Sequence, residues 1–424
     1  MFCTFTKAKK IVNEKRVFKE RNFIMKKIAK ADVLICGGGI IGLTIARQLL
    51  KEGYKNIIII EKEREFGLHA SGRNSGVLHA GIYYSTDSLK AKCCLKGNLL
   101  MKEYCREKGL PLLETGKVIV ARDESEIKTL NELYKRGVQN GAKVELIDEK
   151  ELTRIEPNAR TCEKALFSSY TAVVDPKRIL KSLSHDLESS KKVKIFMSTR
   201  FKSVVSNNIA LTNRGEIGFD QFINAGGAYS DKIAHAFGVG LDYKLIPFKG
   251  IYRKLGGNLA EMIKGNIYPV PDIRNPFLGV HFTRSINGDV YLGPTAIPAF
   301  GRENYGILRG INHEAIEIIL REVVLFISDP SFRGVALVEP KKYIFQFFFK
   351  DAQKLVKEIV PEDVESSDKS GIRAQLVDWK KKELVMDFKV IKEGSSIHIL
   401  NSISPAFTSS FDFASLIVKE YVKN

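Results

Sequence analysis

A glycine-rich turn between two apolar segments constrains this chain more than any other feature. Residues 31–36 (ADVLIC) predict a short buried strand, residues 37–42 (GGGIIG) follow at once, and a helical pattern comes next. Residues 56–60 (NIIII) then predict a second buried strand that ends at Glu61. This order predicts a β-α-β unit.

The three glycines at positions 37, 39 and 42 have the spacing of a dinucleotide-binding turn. Gly37 permits the tight turn, Gly39 lets backbone approach a diphosphate, and Gly42 lets the helix pack closely. The helix N-terminus offers N–H groups to phosphate. A carboxylate at Glu61 can accept hydrogen bonds from ribose hydroxyls. The motif predicts a dinucleotide site and leaves FAD and NAD open.

The rest of the chain is mixed α and β. Residues 65–85 are rich in Gly, Ser, His and Asn, and an irregular segment of this length is typical of a functional loop. Residues 243–255, 277–284 and 289–293 predict strands of a second, largely antiparallel sheet. Asn287-Gly288 lies between the last two and predicts a hairpin turn.

The charge balance favours anionic partners. The chain has 67 Lys and Arg against 49 Asp and Glu, a net charge of +18, of which residues 1–30 carry +8. Those residues form a basic extension that lacks the continuous apolar core of a secretory signal. If Met25 is the true start, residues 1–24 do not belong to the native protein; a transit peptide or a basic surface arm is the alternative. The remaining positive charge is diffuse and no nucleic-acid-binding motif is found, so we expect no nucleic-acid partner.

The six cysteines form no CxxC pair and no zinc-type spacing with histidine, so we predict no metal site. Cysteines of this kind indicate a reduced, cytoplasmic protein. Residues 343–349 (YIFQFFF), flanked by lysines, leave open a peripheral contact with the inner face of the cell membrane, although a buried core element explains them as well.

Seven longer segments resemble the L-2-hydroxyglutarate oxidase/dehydrogenase family, which belongs to the D-amino-acid-oxidase-like group of FAD enzymes. The likeness runs from about residue 31 to the C-terminus, and GVLHAGIYY, FLGVHFTR and GIRAQ are its most specific parts. The segments are GRNSGVLHAGIYY (72–84), VVDPKRIL (173–180), INAGGAYSDKIA (223–234), FKGIYRKL (248–255), IYPVPD (267–272), FLGVHFTRSINGDVYLGPTAI (277–297) and GIRAQLV (371–377).

The resemblance implies an α/β fold in which a Rossmann-like FAD-binding domain is joined to a second, mainly antiparallel-sheet substrate domain. It implies FAD as cofactor and a small dicarboxylate, L-2-hydroxyglutarate, as the substrate that is oxidised to 2-oxoglutarate by hydride transfer to flavin N5. Oxygen and a membrane quinone both stay open as electron acceptor. The predicted segments are 31–85, 145–240 and 366–424 for the FAD-binding domain, and 86–144 and 241–365 for the substrate-binding domain.

Two departures from the family pattern bear on function. The C-terminal loop has Phe407 where the family has a small residue beside the expected flavin path. The usual Tyr-Tyr of the FKGIYRKL segment is Tyr252-Arg253, and residues 309–365 match poorly. A degenerate flavoprotein that no longer holds FAD therefore stays an alternative.

Oxidation of a 2-hydroxy acid requires a base for the hydroxyl proton and cations for the carboxylates. His79 and His281 are the candidate bases, because a histidine is largely neutral near physiological pH. A structural histidine held by backbone is the alternative for each. Arg373 is the main candidate for binding a carboxylate, since a guanidinium binds one bidentately. Weaker candidates for the distal carboxylate are Tyr83, Lys249 and Arg284.

The motif and the resemblance together give a set of candidate cofactor-binding residues. They comprise Gly37, Gly39, Ile41, Gly42, Glu61, Lys62, Arg73, Asn74, Ser75, Gly76, Ala225, Gly226, Gly371 and Ser404. The same fold also serves amino-acid and amine oxidases and glycerol-3-phosphate-type dehydrogenases, so these activities are the alternatives.

Overall fold

The computed structural model describes residues 26–257, 259–272 and 277–423. Most of the basic extension predicted over residues 1–30 lies outside this described part of the chain. The first strand begins at Lys27, four residues before the predicted start.

The described residues form three sheets and the helices that cover them. The strands are β1 Lys27–Cys36, β2 Ile57–Ile60, β3 Val77–Leu78, β4 Leu112–Leu113, β5 Lys117–Val120, β6 Val144–Asp148, β7 Lys164–Ser168, β8 Ala172–Val174, β9 Val193–Phe196, β10 Phe201–Ser206, β11 Ile209–Thr212, β12 Glu216–Asn224, β13 Tyr243–Leu255, β14 Asn266–Pro269, β15 His281–Arg284, β16 Val290–Gly293, β17 Ile297–Pro298, β18 Val364–Asp378, β19 Glu383–Leu384, β20 Val390–Glu393 and β21 Ser396–Ile399. The α-helices are α1 Ile40–Lys51, α2 Leu89–Glu107, α3 Ile127–Gln139, α4 Glu149–Ile155, α5 Pro176–Ser189, α6 Ser230–Ala236, α7 Leu259–Met262, α8 Glu314–Ser328, α9 Pro330–Val338, α10 Phe345–Gln353 and α11 Ala406–Ile417.

The first sheet contains the predicted β-α-β unit. Strand β1 lies between β2 and β12 and is parallel to both, with Val33 opposite Ile57 and Cys36 opposite Asn224. The four isoleucines of β2 are all buried, as expected for a central strand covered on both faces. Helices α1, α5 and α11 pack their apolar faces on this sheet. The carboxyl ends of β1, β2 and β12 therefore meet at one edge, where doubly wound folds bind their ligands.

The second sheet is mainly antiparallel and is built around two long strands. Strand β13 pairs with β18 from Tyr243 opposite Asp378 to Leu255 opposite Val364. The strand order is β19-β18-β13-β16-β15-β14-β5-β7-β6, and only the β14–β5 pair is parallel. The Rossmann-like first sheet and this antiparallel sheet confirm the predicted fold class.

Sheet membership departs from the predicted domain boundaries in three places. Strands β6 and β7 pair within the second sheet, although residues 145–240 are predicted in the FAD-binding domain. Most of β18 also lies in the second sheet, although it falls in the predicted segment 366–424. Helix α2, predicted in the substrate domain, packs against α11 so closely that a Cβ at Gly97 would lie 2.5 Å from the Thr408 carbonyl oxygen. Strand pairing decides the first two cases and helix packing the third, and local sequence patterns reveal neither.

Among the described residues, no helix combines the length and the apolar character needed to cross a membrane.

Candidate functional site

A cavity of about 350 Å³ opens where β1, β2 and β12 end. Its walls are the glycine turn after β1, Glu61 and Lys62 after β2, and Ala225 and Gly226 after β12. We call it the first cavity. Its position at the carboxyl edge of a parallel sheet is the place where a dinucleotide binds in this kind of fold.

The glycine turn is shaped by close backbone contacts. Gly37 has φ +117°, which favours glycine, and a Cβ there would lie 2.3 Å from the Ala225 carbonyl oxygen. A Cβ at Gly42 would lie 1.9 Å from the Gly37 carbonyl oxygen. Gly42 does not line the cavity; its role is to let helix α1 approach the turn. Side chains at these two positions would deform the turn that faces the cavity.

Glu61 is fixed by the backbone on both sides of it. One carboxylate oxygen accepts a hydrogen bond from the Gly38 N–H at 2.8 Å, and the other accepts from the Glu63 N–H at 2.9 Å. Each oxygen keeps a further lone pair. Because Glu61 lines the first cavity, these lone pairs are available to the hydroxyls of the dinucleotide ribose expected there.

Lys62, which lines the first cavity, lies among three side chains. Its Nζ donates to Glu63, donates to Glu303 Oε1 at 2.7 Å and lies 2.7 Å from His69 Nε2. Glu63, His69 and Glu303 have the chemistry to hold a metal ion, but the Lys62 ammonium lies among them. Although partial burial raises it, hydrogen bonds from Lys62 and His69 bring the pKa of the Glu63 carboxyl down to about 2.

A segment from the second half of the chain, residues 299–310, crosses the mouth of the first cavity. We call it the strap. Tyr305 Oη lies 2.8 Å from His69 Nδ1, and the Arg73 guanidinium lies 4.2 Å from the Tyr305 ring centroid. The Tyr305 carbonyl accepts a hydrogen bond from Ser370 Oγ at 3.1 Å. These contacts, together with Glu303, fasten the strap across the cavity.

Arg302, also on the strap, makes a buried ion pair. Its guanidinium donates to Asp231 Oδ2 at 2.9 Å and to Glu314 Oε1 at 2.9 Å. Burial opposes the charge of Arg302, but Asp231 and Glu314 raise its pKa above the ordinary value. The strap is thus anchored to helix α6 and to the start of helix α8.

A second cavity of about 270 Å³ continues from the first. The two share wall residues from α1, the loop after β2, the turn after β12, strand β18 and the C-terminal loop, namely Ile40, Ala70, Ser71, Gly227, Ala228, Ile372 and Ser402. The other walls of the second cavity come from the 73–79 loop, from β13 and β18 of the second sheet, from residues 277–279 and 294–296, from Glu339, and from residues 400–408. The two cavities form one elongated space between the sheets.

Arg373 is the principal cation of the second cavity. It follows Gly371 on β18 and its guanidinium is buried, 5.1 Å from the Phe277 ring centroid. Its Nε has no hydrogen-bond partner among the described residues, and Nη2 reaches Gln375 Oε1 only at 3.4 Å. Burial lowers the pKa of Arg373 to about 10, so the group is a cation at neutral pH. A buried cation with unused donors is suited to binding a carboxylate.

His79 lines the second cavity directly after strand β3. Its backbone is fixed, because the N–H donates to Thr408 Oγ1 at 3.2 Å and the carbonyl accepts from Asn98 Nδ2 at 3.0 Å. The side chain is buried, and Nδ1 has no hydrogen-bond partner among the described residues. Burial, with help from Lys117 and His281, lowers the pKa of His79 to about 3. The imidazole is therefore neutral at physiological pH and has a nitrogen that can accept a proton.

His281, the other candidate base, lies behind the cavity wall and not in it. Its ring stacks on Tyr268 with centroids 3.8 Å apart, and Nδ1 donates to the Gly279 carbonyl at 2.8 Å. Burial lowers the pKa of His281 to about 3. The stack on Tyr268 turns the His281 ring into the protein.

The three weaker substrate candidates also lie outside the cavity walls. Lys249 Nζ donates to the Gly306 carbonyl at 2.9 Å, and so holds the strap. Arg284 donates to the carbonyls of Ala260 and Ile263 at 3.1 and 2.7 Å. Tyr83 accepts a hydrogen bond from Lys117 Nζ at 3.1 Å. Each therefore has a structural partner in place of the predicted contact with substrate.

Twelve of the fourteen candidate cofactor residues line one of the two cavities, and Gly42 and Gly76 do not. Gly76 instead completes a turn, where it has φ +78° and its N–H donates to Asn74 Oδ1 at 2.8 Å. Gly37, Gly39, Ile41, Glu61, Lys62, Ala225 and Gly226 line the first cavity, whereas Arg73, Asn74, Ser75, Gly371 and Ser404 line the second.

The residues of the first cavity fit the ADP half of FAD. The glycine turn leaves a cradle that a Cβ would fill, helix α1 begins beside it, and the Glu61 carboxylate lies next to it, where it accepts a hydrogen bond from the Gly38 N–H. The second cavity is lined by aliphatic and aromatic groups together with Arg73, Arg373 and Glu339. Phe407, where the family pattern has a small residue, lines this cavity and also packs against the core of the first sheet.

Comparison with known proteins agrees with this geometry. A family model described as FAD dependent oxidoreductase matches residues 32–411. The mitochondrial L-2-hydroxyglutarate dehydrogenase of Mus musculus is 37% identical and the alignment covers 91% of this chain and 87% of that protein. The enzyme of the same name from Caenorhabditis briggsae is 36% identical over 93% of this chain and 94% of its own length.

A solved structure shares the fold at lower identity. L-alpha-glycerophosphate oxidase from Mycoplasma pneumoniae, with FAD bound, superposes with a TM-score of 0.72 at 22% identity, over 92% of this chain and 94% of that one. At this identity the likeness concerns the fold alone. Together with the family match, it agrees with an elongated space that holds FAD between the two sheets.

Proposed function

The chain belongs to the family of FAD dependent oxidoreductases, in which its relatives are L-2-hydroxyglutarate dehydrogenases, and on that premise we propose that it oxidises L-2-hydroxyglutarate to 2-oxoglutarate. The observation that carries the proposal is the pair Arg373 and His79 on the walls of one cavity: a buried cation with unused donors and a neutral imidazole with an unpartnered nitrogen.

The chain's own residues divide the work between them. Arg373 binds the C1 carboxylate and so orients C2 with its hydroxyl toward His79. His79 accepts the hydroxyl proton at its free ring nitrogen as the carbonyl forms. The buried walls exclude water from the reacting carbon. FAD, when bound, supplies the two-electron acceptor that the protein's side chains lack.

An anaerobic absorption measurement tests the proposal. The purified protein should be yellow, and addition of L-2-hydroxyglutarate without oxygen should bleach its flavin absorbance and yield one 2-oxoglutarate per flavin. L-alanine, glycine and glycerol 3-phosphate are the comparison substrates, since they represent the alternative activities of the fold. Faster bleaching by any of these three would contradict the proposal, and a colourless protein that cannot be reconstituted with FAD would indicate a degenerate flavoprotein.

We propose further that helix α8 lies on an anionic membrane surface. Its exposed side chains Ile316, Ile319, Leu320, Val323 and Ile327 share one face, and Ile316 is 70% exposed. In the predicted segment 343–349, Tyr343, Ile344 and Phe347 are exposed, whereas Phe348 is fully buried. Further exposed apolar side chains, in the segments before and after the helix in the sequence, are Ile307, Leu308, Leu337 and Val338.

The charge around this face supports lipid as its partner. Exposed Arg309, Lys341 and Lys350 lie in the segments before and after the helix in the sequence, the helix itself holds Glu314, Glu317 and Glu322 against Arg321, and the whole chain carries +18. An apolar helix face bordered by cations is typical of a protein that lies in a membrane interface. Such a contact would bring the enzyme to a membrane quinone, which we propose as electron acceptor in preference to oxygen.

Vesicle sedimentation tests the membrane proposal. The protein should sediment with vesicles that contain phosphatidylglycerol, and the double substitution Ile316→Glu and Ile327→Glu should abolish this while leaving the flavin spectrum unchanged. Reoxidation of the reduced enzyme by a short-chain quinone should exceed reoxidation by oxygen. Equal sedimentation of both proteins would contradict membrane binding through helix α8. Faster reoxidation by oxygen would contradict a quinone as the electron acceptor.

A further inference from the structure

One tyrosine on the wall of the second cavity takes no part in the chemistry proposed above. Tyr252 lies on β13, lines the second cavity and is 7% exposed. Its Oη makes no hydrogen bond with the described residues, and burial by itself raises the pKa of the phenol. The hydroxyl therefore keeps its proton at physiological pH and is a donor without an acceptor.

Other tyrosines with largely buried rings differ from Tyr252, because their hydroxyls have partners in the protein. The pairs are Tyr83 with Lys117, Tyr104 with Ser182 and Asp186, Tyr229 with Glu303, and Tyr305 with His69. A hydroxyl that is removed from bulk water ordinarily finds a partner, and one that lacks it requires an explanation. An acceptor on a molecule bound in the second cavity would provide that partner for Tyr252.

The ring of Tyr252 is held by contacts that leave its hydroxyl free. The Tyr291 ring meets it edge to face, with the ring centroids 6.5 Å apart, and Lys369 Nζ lies 5.1 Å from its centroid. Tyr252 Cδ1 lies 3.4 Å from the position that a Cβ at Gly293 would take. None of these contacts uses Oη. The donor is therefore fixed in place before a ligand arrives, which lowers the entropic cost of binding.

Strand pairing places Tyr252 at a distance from Arg373 that fits a diacid. Arg373 on β18 lies opposite Phe248 on β13, and Tyr252 follows Phe248 by four residues on the same strand. At ~3.3 Å per residue, this separates Arg373 from Tyr252 by roughly 13 Å along the strand. Between them Gly250 lies opposite Gly371, and neither has a side chain to fill the cavity. An extended five-carbon diacid with a hydrogen bond at each end spans about this distance.

The charge of a diacid is already balanced in this cavity without Tyr252. Arg373 and Arg73 both line it, and neither has a carboxylate partner among the described residues. Arg73 is held by its Nε, which donates to the Leu68 carbonyl at 2.7 Å, and by the Tyr305 ring of the strap. Attraction between charges acts over several ångströms, whereas a hydrogen bond requires an acceptor at one position. The two arginines therefore attract a diacid, and a fixed hydroxyl can select it by length.

We propose that Tyr252 is a specificity-determining residue, whose hydroxyl donates a hydrogen bond to the distal carboxylate of an acid bound at Arg373. No covalent bond changes and no proton is transferred in this contact. The inference rests on the proposed function, since it takes the substrate to be a dicarboxylate. An acid of equal length that ends in a methyl group would leave the hydroxyl without an acceptor, and this unpaired donor disfavours its binding.

Tyr252→Phe, which removes a single oxygen atom, tests the inference with two substrates that differ at the distal end. L-2-hydroxyglutarate ends in a carboxylate, whereas L-2-hydroxypentanoate ends in a methyl group on the same five-carbon chain. Rapid anaerobic reduction of the flavin in the FAD-loaded full chain gives a dissociation constant and a limiting rate for each acid. We expect the dissociation constant of L-2-hydroxyglutarate to rise about thirtyfold, as for a lost hydrogen bond to a charged group, while its limiting rate changes less than about threefold. The dissociation constant of L-2-hydroxypentanoate should stay the same or fall.

Stability separates a substrate contact from a structural role. Because Oη has no partner in the protein, Tyr252→Phe should keep its FAD content and should not melt at a lower temperature. Tyr291→Phe is the matched control, since Tyr291 packs against Tyr252 and is not among the cavity walls. Its hydroxyl reaches Asp289 Oδ2 at 3.4 Å. This control should leave the dissociation constants of both acids unchanged.

Two results would overturn the inference. One is a dissociation constant of L-2-hydroxyglutarate in Tyr252→Phe that stays within about threefold of the original; a rise on Arg73→Met in the same experiment would then assign the distal carboxylate to Arg73. The other is an equal weakening of both acids, which would show general damage to the cavity. Both results leave the proposed function standing, whereas faster reduction of the flavin by L-alanine, glycine or glycerol 3-phosphate than by L-2-hydroxyglutarate would overturn the proposed function itself.

Discussion

The two cavities differ in how their cations are partnered. Of the cations that line the first, Lys62 contacts Glu63 and Glu303, and Arg302 contacts Asp231 and Glu314, whereas Arg200 and Lys202 pair with no carboxylate of the described residues. In the second, neither Arg373 nor Arg73 has a carboxylate partner among the described residues. The ion pairs fix the wall of the first cavity, while the unpaired guanidinium of Arg373 stays available to an anion.

The difference extends to the backbone. The first cavity is formed by close main-chain contacts that admit only glycine, as at Gly37 and Gly42. The second is formed by side chains from β3, β13, β18 and the C-terminal loop. Backbone geometry therefore determines cofactor binding, and side-chain chemistry determines what is oxidised.

The largest effect should come from a single methyl group in the glycine turn. Gly42→Ala places a Cβ 1.9 Å from the Gly37 carbonyl oxygen, which must move and so deforms the cradle. We expect the purified variant to contain less than about a tenth of the FAD and to lose about 1–3 kcal/mol of unfolding free energy. Gly334→Ala in helix α9, where a Cβ meets nothing within 4 Å, is the control and should keep full FAD content. Full FAD content in Gly42→Ala would show that the turn is not the cradle.

The next effect should separate the two histidines. His79→Gln removes the nitrogen that faces the second cavity and should lower kcat for L-2-hydroxyglutarate about a thousandfold, with FAD content retained. His281→Gln, behind the wall, should lower kcat less than about tenfold. Rapid-reaction measurement of flavin reduction gives both values. A larger loss of kcat in His281→Gln than in His79→Gln would indicate that His281 is the base.

A smaller effect should come from the strap. Glu303→Gln removes the charge that Lys62 contacts at 2.7 Å, so the strap should open more readily and FAD should dissociate about ten times faster. The fluorescence increase of released flavin measures the rate. Glu126→Gln, in a surface pair with Arg122, is the matched control and should leave the rate unchanged. An unchanged rate in Glu303→Gln would show that the strap does not retain the cofactor.

Sequence patterns predicted the first cavity well because it depends on local structure. The spacing of Gly37, Gly39 and Gly42 after an apolar strand defines the turn within a few residues, and β2 places Glu61 beside it. The second sheet was also predicted through its long strands and the Asn287-Gly288 turn. The domain boundaries were less accurate, because pairing of β18 with β13 joins residues more than a hundred positions apart.

The second cavity was predicted less completely, for a physical reason. Alternation along β15 indicates the face of His281 but not the ring of Tyr268 that covers it. Nothing in the sequence around Lys117, a lysine at the start of an apolar strand, indicates that its side chain is buried. Glu303 and Lys62, which form an ion pair, are 241 positions apart in the sequence. Contacts of this kind depend on how the sheets pack, which a single sequence does not state.

The dissociation constant of glutarate for Arg373→Met, followed through the flavin absorbance of the FAD-loaded protein, tests the central claim most directly. The account predicts that glutarate binds at least about a hundredfold more weakly than to the unsubstituted enzyme while FAD content stays the same, because the buried guanidinium is the partner of a substrate carboxylate. A dissociation constant within about threefold of the original would contradict it.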